Sequence, residues 1–221
     1  MTDNNSKTAP VRPGIYTRGT ETVEAILKAA LEVLIEEGAG AFTIRRIAAA
    51  CGMKVGNVSY HFPRKEMLIQ VLLDNIVATY NAKVELHVRS GLPAEERLRA
   101  LIVMCLEDIR SKRTTHLFTE LWALGNHNDF VADRVRAFYD RIHTVIGEHV
   151  RELNPALSSE QAETLALFFS ASMEGTTPFL GHEKPWADRM PAVIGISTMF
   201  FVHLAKTIRP EDIAPLTDRA A

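Results

Sequence analysis

Residues 43–65, TIRRIAAACGMKVGNVSYHFPRK, predict two short helices joined by a tight turn. Thr43 stands where its hydroxyl can accept a hydrogen bond from a backbone N–H group of the first helical turn. Gly52 follows the first helix and can take the left-handed conformation that ends a helix. The first helix carries its apolar side chains at helical spacing, at Ile44, Ile47, Ala48 and Cys51. The segment therefore predicts a helix-turn-helix unit.

The second helix of this unit is predicted to begin at Val55 or Gly56 and to end by Phe62. Pro63 sets that limit, because a proline disfavours helical geometry in the residue before it. We expect Val55, Val58 and Phe62 to be buried. The outward face is small, polar and aromatic, and consists of Gly56, Asn57, Ser59, Tyr60 and His61. Such a surface suits a DNA groove.

Positive charge is concentrated in this segment although the whole chain is nearly neutral. The formal net charge is −2 and the pI is about 6.5, which argues against a basic coat over the whole protein. Residues 42–65 contain no acidic residue and five basic ones, namely Arg45, Arg46, Lys54, Arg64 and Lys65. Alone, such a cluster would be interpreted as a solvated charged face. Within a helix-turn-helix pattern it favours phosphate contacts made by one face.

The run GMKVGNVSYHFPRKEML, preceded by TIRRIAAA, resembles the DNA-binding head of the TetR family of one-component regulators. The segment EAILKAALEVLIEEG, residues 24–38, resembles the first helix of that family. The resemblance implies an all-α protein of about nine helices, with a three-helix DNA-binding head and a helical body that binds an effector and dimerises. The function it implies is that of a dimeric repressor, which binds a palindromic operator in double-stranded DNA and is released by a small molecule.

Four parts are predicted along the chain. Residues 1–20 are expected to be a flexible arm, because prolines and glycines lie there among polar residues that can bury no face. In family members such arms sometimes reach DNA, which here would involve Arg12 and Arg18; a floppy tail is the alternative. The other parts are a helix-turn-helix domain at 21–66, an effector-binding and dimerisation domain at 67–208, and a tail at 209–221.

The body is predicted to be helical throughout. A long helix from Glu66 to about Arg89 should connect head to body. Five amphipathic segments follow, at about 94–112, 114–127, 129–153, 158–180 and 189–208. The last two are apolar almost all round, so they must be buried on more than one side. In the family these two helices pair with their symmetry mates, so we expect a homodimer through them.

Roles at the DNA face follow from residue type and from position in the family pattern. We predict base-edge contacts for Arg45, with guanine, and for Asn57, with adenine. Tyr60 is predicted to pack on a thymine methyl group or to bond a phosphate. Contacts to the DNA backbone are predicted for Thr43, Lys54, Gly56, Ser59, His61 and Lys65. In the alternative interpretations Tyr60 packs between helices, His61 caps the short helix and Asn57 is a turn residue.

The body contains enough aromatic residues to line a pocket, since eight of the ten phenylalanines and both tryptophans lie beyond residue 90. Apolar walls with a few polar anchors are typical of small-molecule sites. The candidate pocket residues are Met104, His116, Phe118, Glu120, Trp122, Tyr139, Phe169, Met173 and Glu174, with Arg141 as a further polar anchor. We expect a small apolar or amphipathic effector. The resemblance does not narrow its identity.

Two rival functions are weighed against this one. An enzyme is disfavoured, because no Gly-rich phosphate loop and no serine-nucleophile elbow occurs. His143 and His149 are six positions apart, which is wrong for one helix face, so we predict no metal site and no cofactor. The second rival is a TetR-like helical module that acts through protein partners without binding DNA.

The chain is expected to be cytoplasmic and not associated with a membrane. Cys51 and Cys105 are too few for a disulfide framework and are most simply buried thiols in a reducing compartment. No stretch of about 18 uninterrupted apolar residues occurs. Residues 1–14 also lack the apolar core of a signal peptide.

Overall fold

The chain folds into helices throughout the residues that the computed structural model describes, which are 13–88 and 91–213. No strand occurs in these ranges. The α-helices are α1 (Pro13–Glu37), α2 (Ile44–Ala50), α3 (Val55–His61), α4 (Lys65–Val88), α5 (Ala94–Ile109), α6 (Lys112–Gly125), α7 (Asp129–Leu153), α8 (Ser159–Glu174), α9 (Thr177–Leu180) and α10 (Met190–Thr207). Short 3₁₀ segments lie at Ala39–Ala41, Ala187–Arg189 and Pro210–Asp212. The all-α prediction of about nine helices is confirmed, with α9 as an extra single turn.

Helix α1 begins at Pro13, earlier than predicted. Residues 13–20, interpreted from the sequence as part of a flexible arm, therefore form the first turns of α1. Proline is well suited to the first helical position, because the N–H group that it lacks would have no partner there. Residues 1–12, including Arg12, lie outside the described residues, and so does the side chain of Arg18.

The first four helices form the head around a shared core. Ile26, Ile47, Val58 and Leu68 come from α1, α2, α3 and α4 in turn, and each is fully buried. The predicted cap of α2 is confirmed, because the Arg46 backbone N–H donates to Thr43 Oγ1 at 3.1 Å. Gly52 has a φ of 67°, as a glycine that ends a helix in the left-handed region should.

The predicted single helix at 158–180 is two helices. Its start is as expected, since Ser158 and Gln161 form a capping box at α8. Helix α8 ends at Glu174, and the four residues of α9 follow. The break has a covalent cause: Pro178 lacks a backbone N–H, and its ring would clash with the carbonyl group four residues earlier if α8 continued.

Two helices connect the head to the body. Helix α4 does so by continuity and packs on α7 and α5. Helix α6 does so by contact with α1: His116 Nδ1 lies 2.9 Å from the Ile35 carbonyl oxygen, and Lys112 pairs with Glu36. The head is therefore attached to the body at two places.

An apolar face remains exposed where α8 and α10 lie side by side. Phe169 and Phe201 stack at 4.5 Å between ring centroids and hold the two helices together. The outer side chains Phe168, Ile196, Met199 and Phe200 are 46% to 65% exposed; we call them the α8/α10 apolar face. An 18-residue window within residues 187–207 has a mean hydropathy of 1.3, and the segment is long enough to cross a membrane. The buried side of α10 packs on the body, and core helices pass the same test, so this is weak evidence for a span.

Candidate DNA-binding face and effector cavity

The first turn of α3 projects from the head. Lys54, Val55, Gly56 and Asn57 are all exposed, whereas Val58 and Phe62 are buried as predicted. The prediction that Val55 is buried is wrong, because its side chain is 47% exposed. It lies at the first position of a seven-residue helix, beyond the part that the head core covers. The projection leaves four consecutive residues available to a partner.

Of the outward face predicted for α3, Gly56, Asn57 and Tyr60 are exposed, whereas Ser59 and His61 are half-buried. Tyr60 is 81% exposed, which rules out the alternative that it packs between helices. Its ring meets the half-buried His61 edge-on, at 5.2 Å between centroids. Ser59 is also half-buried at the edge of this face. Tyr60 is thus an aromatic side chain held in solvent beside the exposed turn.

Gly56 has open space around it. A Cβ atom placed there would meet no protein atom within 4 Å, and its φ is not in the left-handed region. The protein itself therefore does not require glycine at this position. Glycine here would allow a ligand to approach the backbone at the start of α3 closely.

The basic residues around α3 are not equivalent. Arg45 is exposed on α2 and free to face a partner, whereas the neighbouring Arg46 is held by Glu37, to which its Nε donates at 2.8 Å. Lys65, the first residue of α4, is half-buried with its Nζ 5.8 Å from the centroid of the Phe42 ring. That contact restricts the lysine at the edge of the same face.

Comparison with known proteins gives the family. The model for the tetR family of bacterial regulatory proteins matches residues 26–72, and the model for the C-terminal domain of BetI-type transcriptional repressors matches residues 94–195. The transcriptional regulator SrpR of Pseudomonas putida is 31% identical over 155 residues, which cover 67% of this chain and 70% of SrpR. The chain belongs to the TetR family. As a member, it is a DNA-binding transcriptional regulator of a family whose proteins form dimers.

Other TetR relatives extend the match along the chain. The regulator UidR of Escherichia coli K12 is 24% identical over 195 residues, which cover 82% of this chain and 95% of UidR. A transcriptional regulator from Rhodococcus sp. Rha1 has a TM-score of 0.68 at 20% identity, covering 84% of this chain and 98% of its own. A regulator from Saccharomonospora viridis, solved in complex with choline, has a TM-score of 0.68 at 18% identity, covering 84% and 95%. These structures share the fold.

The body of this TetR protein contains a cavity between α6, α7 and α8. Its volume is about 530 Å³, within the range of small-molecule sites. Three of the residues predicted for a pocket line it, namely Trp122, Tyr139 and Glu174. The other lining residues were not predicted from the sequence, and are Arg136, Asp140, His143, Leu167, Ser170 and Ala171. We call this space the effector cavity.

The remaining predicted pocket residues lie elsewhere. Phe118, Phe169 and Met173 are buried core residues, and Met104 packs half-buried against the same core. His116 and Glu120 lie at the contact between α6 and the head. Arg141 pairs with Glu85 of α4 at 3.2 Å. The apolar pattern of α8 shows which residues are inside but not which of its sides faces an open space.

A chain of polar contacts ends at the half-buried Glu174 in the effector cavity. Trp122 Nε1–H donates to the Tyr139 hydroxyl at 3.1 Å. Burial raises the pKa of the Glu174 carboxyl to about 7, although hydrogen bonding from Tyr139 lowers it in part. Burial likewise raises the pKa of the Tyr139 hydroxyl above its usual value. At neutral pH Glu174 is therefore near its titration point.

Two further polar atoms of the cavity have no hydrogen-bond partner among the described residues. They are Ser170 Oγ and His143 Nε2. Ser170 is only 4% exposed. The pKa of His143 is lowered by burial, which favours the neutral imidazole. An unpaired polar atom in a buried site is costly unless something else satisfies it, so these atoms mark where a ligand would bond.

Proposed function

We propose that this TetR protein is a cytoplasmic dimeric repressor that inserts α3 of each subunit into the major groove of a palindromic operator and is released by a small molecule. The observation that carries the proposal is the projecting start of α3, with Gly56 and Asn57 exposed beside Tyr60. A recognition helix reads base edges with its N-terminal residues. Here those residues protrude, and basic residues flank them.

The dimer is supported by the α8/α10 apolar face. Phe168, Ile196, Met199 and Phe200 together form an exposed patch of large side chains that a single subunit does not cover. Contiguous apolar surface of this kind marks association sites. A twofold axis through the patch would bury it in both subunits at once and present two copies of α3.

Control by a small molecule is supported by the effector cavity and by its position. Trp122 lines the cavity from α6, the helix that also contacts the end of α1 in the head through His116. A ligand that displaces α6 would therefore act on the head directly. The S. viridis neighbour was solved in complex with choline, and we propose that the effector cavity of this chain also receives a small ligand.

The decisive experiment is selection of DNA bound by the purified protein from a random pool. We expect recovery of an inverted repeat with half-sites about one helical turn apart, 34–36 Å. Tyr60→Ala should fail to enrich that repeat while retaining the thermal melt of the wild type. Enrichment of no sequence by the folded wild type would favour the rival function, a helical module that acts through protein partners.

A further inference from the structure

The effector cavity continues into a second cavity along the cleft between α7 and α8. Both are lined by Asp140, His143 and Leu167, and the second has a volume of about 380 Å³. Gly147 of α7 lies against the backbone of Ala162 near the start of α8, so the two helices run antiparallel. The two cavities therefore form one elongated cleft.

Carboxyl groups lie at both ends of this cleft. Glu174 lines only the inner cavity and Glu160 and Glu163 line only the outer one, whereas Asp140 lines both and lies where they meet. Apart from His143, Arg136 is the basic residue among the described lining of either cavity. Its guanidinium is already paired with Asp133 at 3.2 Å, and both side chains are well exposed. The cleft consequently has an excess of negative charge.

The α8 side of the cleft carries three polar side chains and one apolar side chain on one face. Glu163, Leu167, Ser170 and Glu174 are spaced by four, three and four residues, which places them on one face of the helix. The two glutamates are roughly 16 Å apart along the axis, at 1.5 Å per residue. Between them lies the unpartnered Ser170 Oγ, and His143 Nε2 is likewise buried without a partner.

We propose that the cleft binds a linear aliphatic polyamine, with one terminal ammonium at Glu174, an inner amine at Ser170, His143 and Asp140, and the other terminal ammonium at Glu160 and Glu163. The proposal rests on the proposed function, in which the effector cavity controls DNA release. Each group finds a chemical match: the ammonium ions pair with carboxylates, and the methylene segments pack on Trp122 and Leu167. The rings of Trp122 and Tyr139 favour a cation beside Glu174.

The protonation states agree with this assignment. Burial raises the pKa of Glu174, and an ammonium ion beside it would return the carboxyl to its ionised form. Burial lowers the pKa of His143, so its neutral ring can accept a hydrogen bond from an amine N–H.

Calorimetric titration of the full-length protein, without DNA, tests the proposal. The probes are spermine, the short diamine putrescine, the monoamine butylamine and choline. We expect spermine to bind at least about tenfold more tightly than each of the others, because only spermine reaches both acidic ends. Glu174→Gln and the double variant Glu160→Gln/Glu163→Gln should each weaken spermine binding by about tenfold or more. Glu96→Gln, an exposed charge loss on α5, should leave it unchanged.

Three results would overturn the proposal. They are equal affinity for spermine and butylamine, tighter binding of choline than of spermine, and wild-type spermine affinity in a folded Glu174→Gln. Ser170→Ala is a second variant at the inner end of the cleft and should also weaken spermine binding. It provides the test if Glu174→Gln does not fold. Failure here leaves operator selection unaffected, since that experiment contains no polyamine. Polyamines also bind DNA directly. Release of the operator by spermine is therefore compared between the wild type and Glu174→Gln at the same spermine concentration, and only the difference between them is attributed to the cleft.

Discussion

The Glu120 carboxylate of α6 accepts a hydrogen bond from the Ala39 backbone N–H, at 2.8 Å and across 81 positions of the sequence. The same carboxylate lies 3.1 Å from the place where a Cβ atom on Gly38 would be, and Gly38 has a φ of 78°. The left-handed conformation favours glycine there, and a Cβ atom would in addition crowd the Glu120 carboxylate. Since Trp122 is two residues further along α6 and lines the effector cavity, cavity and head share one rigid element.

Replacing Glu120 by alanine should loosen the head from the body. The Ala39 N–H loses its partner, at a cost of about 1–2 kcal/mol in the free energy of unfolding. Glu120→Gln keeps an acceptor oxygen and should recover most of that loss. Denaturant unfolding of both variants measures the difference, and hydrogen exchange at the Ala39 amide should be faster in the alanine variant only. Equal destabilisation by both substitutions would show that charge, not the hydrogen bond, is what matters.

Gly56→Ala separates DNA contact from folding. A methyl group at this position meets nothing in the protein, and alanine favours a helix by up to about 1 kcal/mol over glycine. We expect unchanged or slightly higher thermal stability together with operator binding weakened by up to about tenfold, because the methyl group would separate the start of α3 from a phosphate. Fluorescence anisotropy with the selected operator measures this. Full affinity would remove Gly56 from the contact surface.

Lys65→Ala should weaken binding to every DNA sequence alike and reduce the salt dependence by about one unit of slope. The half-buried lysine lies over the Phe42 ring. This contact restricts the position of its ammonium group at the edge of the DNA-binding face. Arg46→Ala should have a smaller effect, because Arg46 is already paired with Glu37. Titrations at several salt concentrations measure both, with Lys184→Ala in the body loop as the control. A larger effect at Arg46 than at Lys65 would contradict the assignment.

The head could be predicted from sequence because its signals are local. Thr43, Gly52 and Pro63 mark the helix ends, and the stripe between the first two has helical spacing. The structure differs from the prediction at two prolines, because a proline is compatible with more than one local structure. Pro13 lies among polar residues, which predicts a flexible arm, but proline is also favourable at the first position of a helix. Pro178 lies within an apolar run that predicts one continuous helix, whereas the proline ends α8 before α9.

The effector cavity could be predicted only in part, because it depends on which sides of α7 and α8 face each other. Trp122, Tyr139 and Glu174 were found by residue type alone. The sequence analysis did not select Ser170 or His143 for the pocket, although one signal was present: Ser170 and Glu174 are polar residues one turn apart in a largely apolar stretch. Polar residues repeated at helical spacing inside an apolar helix indicate a site rather than a surface.

Ile196→Glu should prevent dimerisation. A carboxylate in the middle of the α8/α10 apolar face would have to be desolvated in both subunits of a dimer, which is too costly for an unpaired charge. We expect a monomer by analytical ultracentrifugation and operator binding at least about tenfold weaker, because the two heads are no longer linked. Leu86→Glu changes an exposed leucine of α4, outside this face, and should remain dimeric. A dimeric Ile196→Glu would place the interface elsewhere.

The half-buried carboxyl of Glu174 should make stability depend on pH. Its pKa rises from 4.5 to about 7 on folding, chiefly through burial, with Asp108 raising it further and Tyr139 opposing the rise. Between these values the folded state holds a proton that the unfolded chain has released, so the free energy of unfolding falls as the pH rises through that window. Glu174→Gln is neutral throughout and should lack this loss, which amounts to at most about 3 kcal/mol. Denaturant unfolding of both proteins at pH 5 and pH 8 measures this loss. The free energy of unfolding of the variant, relative to that of the wild type, should be higher at pH 8 than at pH 5. A constant difference would show that Glu174 titrates normally in the folded protein, and that the cavity is wetter than its lining indicates.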